Sequence, residues 1–192
     1  MFTIVLFSQY HGGHHLANLL GLTNGVSFMH EQEVYRSYQN AAKAHVYHDK
    51  IFLDAPDFLT TYTMNKTNMI GISHFGAFEH VYLNSQIEKD ASNTNIIVVR
   101  IPDSGNHIVI NRCIKHGYNM DISEYSIAEQ RAIYKQETIQ RLCPNAKVCE
   151  ISSESLFSKD ISNVKTELNY YGIDINLKYQ YLHDVWYRKN AQ

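Results

Sequence analysis

FTIVLFSQYHGGHHLANLLGL, residues 2–22, is the stretch whose reading decides the fold. Residues 3–7 form a short, nearly unbroken apolar run, the pattern of a strand buried on both faces of a parallel sheet. Residues 8–15 are a polar turn containing Gly12 and Gly13. Leu16, Leu19 and Leu20 then recur at helical spacing, with Gly21 as the expected stop. Strand, glycine turn and helix together aim backbone N–H groups and a helix N-terminus at an anion, usually a phosphate. The Walker A spelling GxxxxGK[ST] is not met, because His14 and His15 stand where Lys and Ser or Thr belong. The alternative reading of the same turn is steric: two glycines let the first helix close onto the sheet.

Working outward, the clearest further strand is NIIVVRI at residues 95–101, which delivers Arg100 at its carboxyl end and is punctuated by Pro102. Residues 68–73 are another apolar strand candidate, followed by His74, and residues 147–151 are a fourth. Helices are expected over residues 31–48, 76–88, 104–115, 122–142, 158–171 and 177–188, with a possible short strand at 25–28 and a loop at 60–67. Strands alternating with helices predict an α/β fold, a mainly parallel sheet with helices on both faces. In such folds ligands sit beyond the carboxyl ends of the strands, where His11, His74 and Arg100 are all expected.

The composition sets bounds. At 192 residues, 44% apolar and 19% charged, the chain reads as a single domain, residues 1–192, with a substantial core. A net charge of −2 gives no argument for a nucleic-acid partner or an anionic membrane surface. Cys113, Cys143 and Cys149 show no CxxC spacing, so reduced thiols and a cytoplasmic location are expected. The apolar start lacks a basic flank and is too short for a signal peptide, and no run reaches the length of a membrane span. Eleven histidines and fourteen tyrosines are many for this length. His11, His14 and His15, or His45 and His48 as HxxH, lack a third ligand at a familiar spacing, so no metal is expected. The sequence KIFLD, residues 50–54, has the outline of a magnesium-binding strand ending in Asp54, and equally that of a strand or helix end with a capping acid.

With these stations placed, the chain resembles the sulfotransferase branch of P-loop fold proteins. Their PKSGTT-type loop corresponds to Tyr10-His11-Gly12-Gly13-His14-His15, their VVRxP-type motif to Val98-Val99-Arg100-Ile101-Pro102, and their KTH-type element to Ile72-Ser73-His74. Glu154-Ser155-Leu156 is similar to their acidic EDL-type element. The run from Leu168 through Gly172 to Ile173 is similar to their leucine/glycine corner, and Tyr187-Arg188-Lys189 faintly to their RKG loop. The order and approximate spacing agree along most of the chain. The resemblance implies a sulfotransferase that moves a sulfuryl group from 3′-phosphoadenylyl sulfate to an acceptor hydroxyl or amine. It further implies that the N–H groups of Gly12, Gly13, His14 and His15 hold the 5′-phosphosulfate, Arg100 holds the 3′-phosphate, and His74 takes the acceptor proton. His11 replaces the family's loop lysine and assists the leaving phosphate only as an imidazolium. The serine expected after the strand arginine falls at Ile108, with Ser104 or Asn106 as substitutes. These departures keep two alternatives open. One is a catalytically degenerate member serving as a binding or assembly module, with protein partners or as a homo-oligomer. The other is a divergent nucleotide kinase using Asp54 and magnesium.

Overall fold

The computed structural model describes residues 2–8, 11–25, 30–39, 69–73, 91–101 and 124–190. His45, His48, Asp54, His74, Ser104 and Cys113, with the expected elements at 50–54, 60–67, 76–88 and 104–115, lie outside the described residues.

Four strands form one parallel sheet: β1 (Phe2–Phe7), β2 (Met69–Ser73), β3 (Thr94–Arg100) and β4 (Lys147–Ser152), in the order β2-β1-β3-β4. Phe7 of β1 stands beside Val99 of β3, and Arg100 of β3 beside Ser152 of β4, so the carboxyl ends of these strands are level. The chain moves to one side of β1 for β2 and to the other for β3. The topological switch point therefore falls between β1 and β3, where doubly wound sheets place their ligands.

The helices are α1 (Gly13–Asn24), α2 (Glu31–Gln39), α3 (Glu124–Ile133), α4 (Gln136–Leu142), α5 (Ser153–Leu156), α6 (Ser162–Tyr170) and α7 (Gln180–Asn190). Period-2 alternation sends the strand side chains into two cores. Val5, Phe7, Ile97, Val99, Cys149 and Ile151 pack with α1, α2, α5, α6 and α7 on one face. Ile4, Leu6, Ile96, Val98 and Val148 pack with Tyr134, Ile139 and Cys143 from the α3–α4 region on the other. Burial on both faces explains why these strands read as continuous apolar runs.

Three boundaries differ from the sequence reading. The first helix does not stop at Gly21, which is buried within it. It runs to Asn24 and ends on Gly25, whose left-handed φ of 67° lets its N–H reach the Gly21 carbonyl. The expected helix over 122–142 is two helices, because Lys135 is extended and Tyr134 turns into the core. Glu150 stabilises the break by accepting the Gln136 N–H at 2.8 Å. The helix expected from 158 begins at Ser162, where Asp160 accepts the Ser162 N–H at 2.8 Å.

The outer edge of β4 is closed by side chains. Gln136 donates its amide to the Val148 carbonyl at 3.0 Å and accepts the Tyr171 hydroxyl at 3.2 Å, and Glu167 accepts the Ser152 N–H at 2.6 Å.

Candidate anion site at the carboxyl ends of β1 and β3

The turn after β1 is built around its glycines. Gly12 precedes α1 in the left-handed region, φ 82°, and a Cβ there would lie 3.3 Å from the Trp186 indole and 3.5 Å from Leu156. Gly13 opens α1 against the face of Phe7, and a Cβ on it would sit 2.1 Å from that ring. Both glycines are thus required sterically. The start of α1 has no side-chain cap from Gly12 and no acidic residue in its first turn, so the helix itself supplies no charge to offset its positive end.

The three histidines of the turn go to different places. His11 is buried, and its Nδ1 faces the Ser8 carbonyl at 3.3 Å, which assigns the ring proton to Nδ1. The neutral ring then presents an acceptor at Nε2, so His11 supports an anion only when doubly protonated. His14 is half-buried, edge-on to Phe7 with ring centroids 5.0 Å apart. His15 turns into the core: its Nδ1 lies 2.9 Å from the Tyr38 hydroxyl and its Nε2 lies 2.9 Å from Nδ1 of His183. What His15 offers an anion is its backbone N–H, since both ring nitrogens are engaged.

Arg100 ends β3 beside a cavity of about 260 Å³ lined with Glu150, Ser152, Glu167, Tyr170 and Tyr171. Its Nε donates to Glu150 at 2.8 Å, and the pair is partly exposed, so it contributes at most about 1 kcal/mol to stability. Both carboxylates are committed to the fold. Glu150 also accepts the Gln136 N–H, and Glu167 accepts from the Ser152 backbone and the Ser155 hydroxyl. The cavity therefore sets one guanidinium against two carboxylates, an arrangement that weakens its hold on a dianion.

Glu154 is exposed in the first turn of α5, where the Ser152 hydroxyl accepts its N–H, so it occupies the helix-start position an acid favours. Tyr187, Arg188 and Lys189 lie within α7, not in a loop. His74 and Ser104 lie outside the described residues. Cys149 sits in the middle of β4, where burial pushes its thiol up to about 11, so it is no nucleophile at neutral pH. Among the described residues there is no group of three or more His, Cys, Asp or Glu suited to a metal, and no helix is long and apolar enough to cross a membrane.

The sequence reading missed Glu150, Glu167, His183 and Trp186. Glu150 carried a signal, as the one acid inside the strand KVCEIS. His183 carried another, since it sits among Leu182, Val185 and Trp186 on the apolar face of α7. Comparison of the chain with protein-family models, with curated proteins and with solved structures gives no match in any of the three.

Proposed function

We propose that this chain is a sulfotransferase-like protein of the P-loop fold type. It binds 3′-phosphoadenylyl sulfate across the carboxyl ends of β1 and β3 and passes the sulfuryl group to an acceptor hydroxyl or amine. The observation that carries the reading is the uncapped start of α1, which follows a left-handed Gly12 directly after β1 at the switch point of a parallel sheet. A phosphosulfate fits that turn, since the helix it opens carries no acid in its first turn. The 3′-phosphate fits the Arg100 cavity less well, because Glu150 already pairs with the guanidinium. In this reading the turn backbone holds the anion, His11 stabilises it when protonated, and Arg100 orients the nucleotide. His74 takes the acceptor proton on the strength of the resemblance alone. A reducing, cytoplasmic setting suits the chain, since Cys149 is a buried free thiol.

Isothermal titration with adenosine 3′,5′-bisphosphate, set beside ATP with magnesium, tests the proposal. Micromolar binding of the bisphosphate without magnesium is the expected result. Binding of ATP only with magnesium would point instead to the kinase reading. A second reading is favoured by the Arg100–Glu150 pair and by the packing of Phe7 and Trp186 against the two glycines. In that reading the fold is kept as a binding or assembly module without transfer, and neither nucleotide binds.

A further inference from the structure

The proposed function leaves unused a buried file of side chains that joins α1 and α2 to α7. Asn18 Nδ2 lies 3.1 Å from the Tyr38 hydroxyl, which lies 2.9 Å from His15 Nδ1. His15 Nε2 is 2.9 Å from His183 Nδ1, and His183 Nε2 is 2.8 Å from the Ser158 carbonyl. All four side chains are less than 5% exposed.

The file has one direction when both rings are neutral. A carbonyl only accepts, so His183 carries its proton on Nε2 and accepts at Nδ1. His15 must then donate from Nε2 and accept at Nδ1. Tyr38 donates to His15 and accepts from Asn18. The four ring nitrogens and the Tyr38 hydroxyl are all satisfied, as a buried polar network requires. Trp186 closes the arrangement. Its indole lies flat on the His15 ring, centroids 4.2 Å apart and planes 4° from parallel, while its edge occupies the side of Gly12 where a Cβ would stand, 3.3 Å from that position.

A proton added to either imidazole breaks this order. Two N–H groups then face each other at the His15–His183 contact, unless the whole file reverses and Tyr38 donates to the Asn18 carbonyl. Either way a charge is left in the core. Among the described residues, the surroundings supply little to hold it. On α7 and on the segment before α6, Asp184 and Asp160 act on His183 from the rim, and burial outweighs both, keeping its pKa below the ordinary value. Tyr187 packs against His183 as a neutral ring, while Arg188 and Lys189 are exposed. From α2 only Tyr38 points into the file: Glu33 and Arg36 are exposed, and Glu31 bonds Tyr181. From α1 and its turn the neighbouring titratable groups are His11 and His14, which carry no negative charge.

We propose that the His15–His183 pair is a proton-released latch. Neutral rings fasten α7 onto α1, and proton uptake frees α7 and lifts Trp186 from the Gly12 turn. The latch holds whether or not the turn binds an anion. The direction of its pH dependence follows from linkage. A freed histidine takes up its proton near pH 6.5, roughly, and the latched one only at lower pH. The open form therefore binds more protons between those values. The latch is at full strength above that range and weakens as pH falls, with its opening constant rising about tenfold per pH unit for each proton taken up.

Trp186 is the only tryptophan of the chain, so it reports on the latch directly. Its emission is followed from pH 8 to pH 4.5 on the full chain, beside far-ultraviolet circular dichroism and amide exchange. Acidification is expected to shift the emission to the red with a midpoint below 6.5, and to raise exchange in α7 by tenfold or more while the β-sheet amides stay protected. His183→Gln keeps a donor for Ser158 but cannot titrate, and combined with His15→Gln, which removes the second titrating ring, it should remove the transition. His30→Gln, at an exposed histidine, should leave it in place. Should the doubly substituted chain fail to fold, ring ¹⁵N shifts of the wild type decide: both imidazoles are expected as Nε2–H tautomers at pH 7.5, and one is expected to gain a proton with the emission midpoint. Unchanged emission down to pH 4.5 would overturn the latch. So would loss of sheet and α7 protection together, a transition that persists when both His15→Gln and His183→Gln are present in a folded chain, or ring shifts showing another tautomer.

Discussion

Gly13→Ala puts the packing of the glycine turn to a direct test. The added Cβ would fall 2.1 Å from Cγ and Cδ1 of Phe7 and 2.6 Å from Cε1, where ordinary contact begins near 3.4 Å. The shortfall is therefore about 1.3 Å, and it falls on a ring that is 2% exposed and packed within the core on the α1 face of the sheet. The ring cannot swing into solvent, and α1 cannot lift without opening its Leu16, Leu19 and Leu20 contacts. Overpacking of this kind costs about 1–3 kcal/mol, or more where neighbours cannot yield. At roughly 2–4 °C per kcal/mol for a chain of this size, the melting temperature should fall by about 2–12 °C. Urea unfolding of the four corners of a double-mutant cycle is the assay. Phe7→Leu alone leaves a void and destabilises, but in the Gly13→Ala background it also relieves the clash. The double variant should be at least about 1 kcal/mol more stable than the two single effects predict. A Gly13→Ala protein within about 0.5 kcal/mol of wild type, or strictly additive variants, would refute the steric account of Gly13.

Three further outcomes follow from the site and the core. Glu150→Gln removes the charge paired with Arg100 and should tighten bisphosphate binding about tenfold in the same titration, whereas Arg100→Ala should weaken it; no change in either would remove Arg100 from the site. Glu167→Ala strips the acceptor from the Ser152 N–H and the Ser155 hydroxyl and should cost about 1–3 kcal/mol in urea unfolding, with Glu167→Gln intermediate. Cys149, pushed up to about 11, carries about 0.1% thiolate at pH 8, so a thiol reagent should modify it only at the rate of local opening.

The strands were legible in the sequence because each is an apolar run long enough to be buried on both faces. All four lie within a residue or so of their expected limits. The break between α3 and α4 was not, since no glycine or proline marks it. Its causes are the burial of Tyr134 and the carboxylate of Glu150, which lies 14 residues from the N–H it accepts. Gly12 and Gly13 were legible as a turn, and the sequence left open whether sterics or an anion explains them. Phe7 and Trp186 now supply the steric half. The fate of His15 was beyond local pattern: its partner His183 is 168 residues away, and no periodicity in α1 distinguishes a histidine facing a ligand from one facing a helix at the other end of the chain.

The closure of β4 bears on how this chain could join others. An outermost strand with bare backbone groups is a template on which a second chain can add a strand, in ordered assembly or in fibrous aggregation. Here two backbone groups of that template, the Val148 carbonyl and the Ser152 N–H, are taken by Gln136 of α4 and Glu167 of α6. Strand addition at β4 would first have to strip both side-chain bonds and take the Ser152 N–H away from the Glu167 carboxylate. A copy or partner that engages this side of the molecule therefore meets a wall of side chains, and recognition there would have to proceed by shape and charge rather than by backbone pairing.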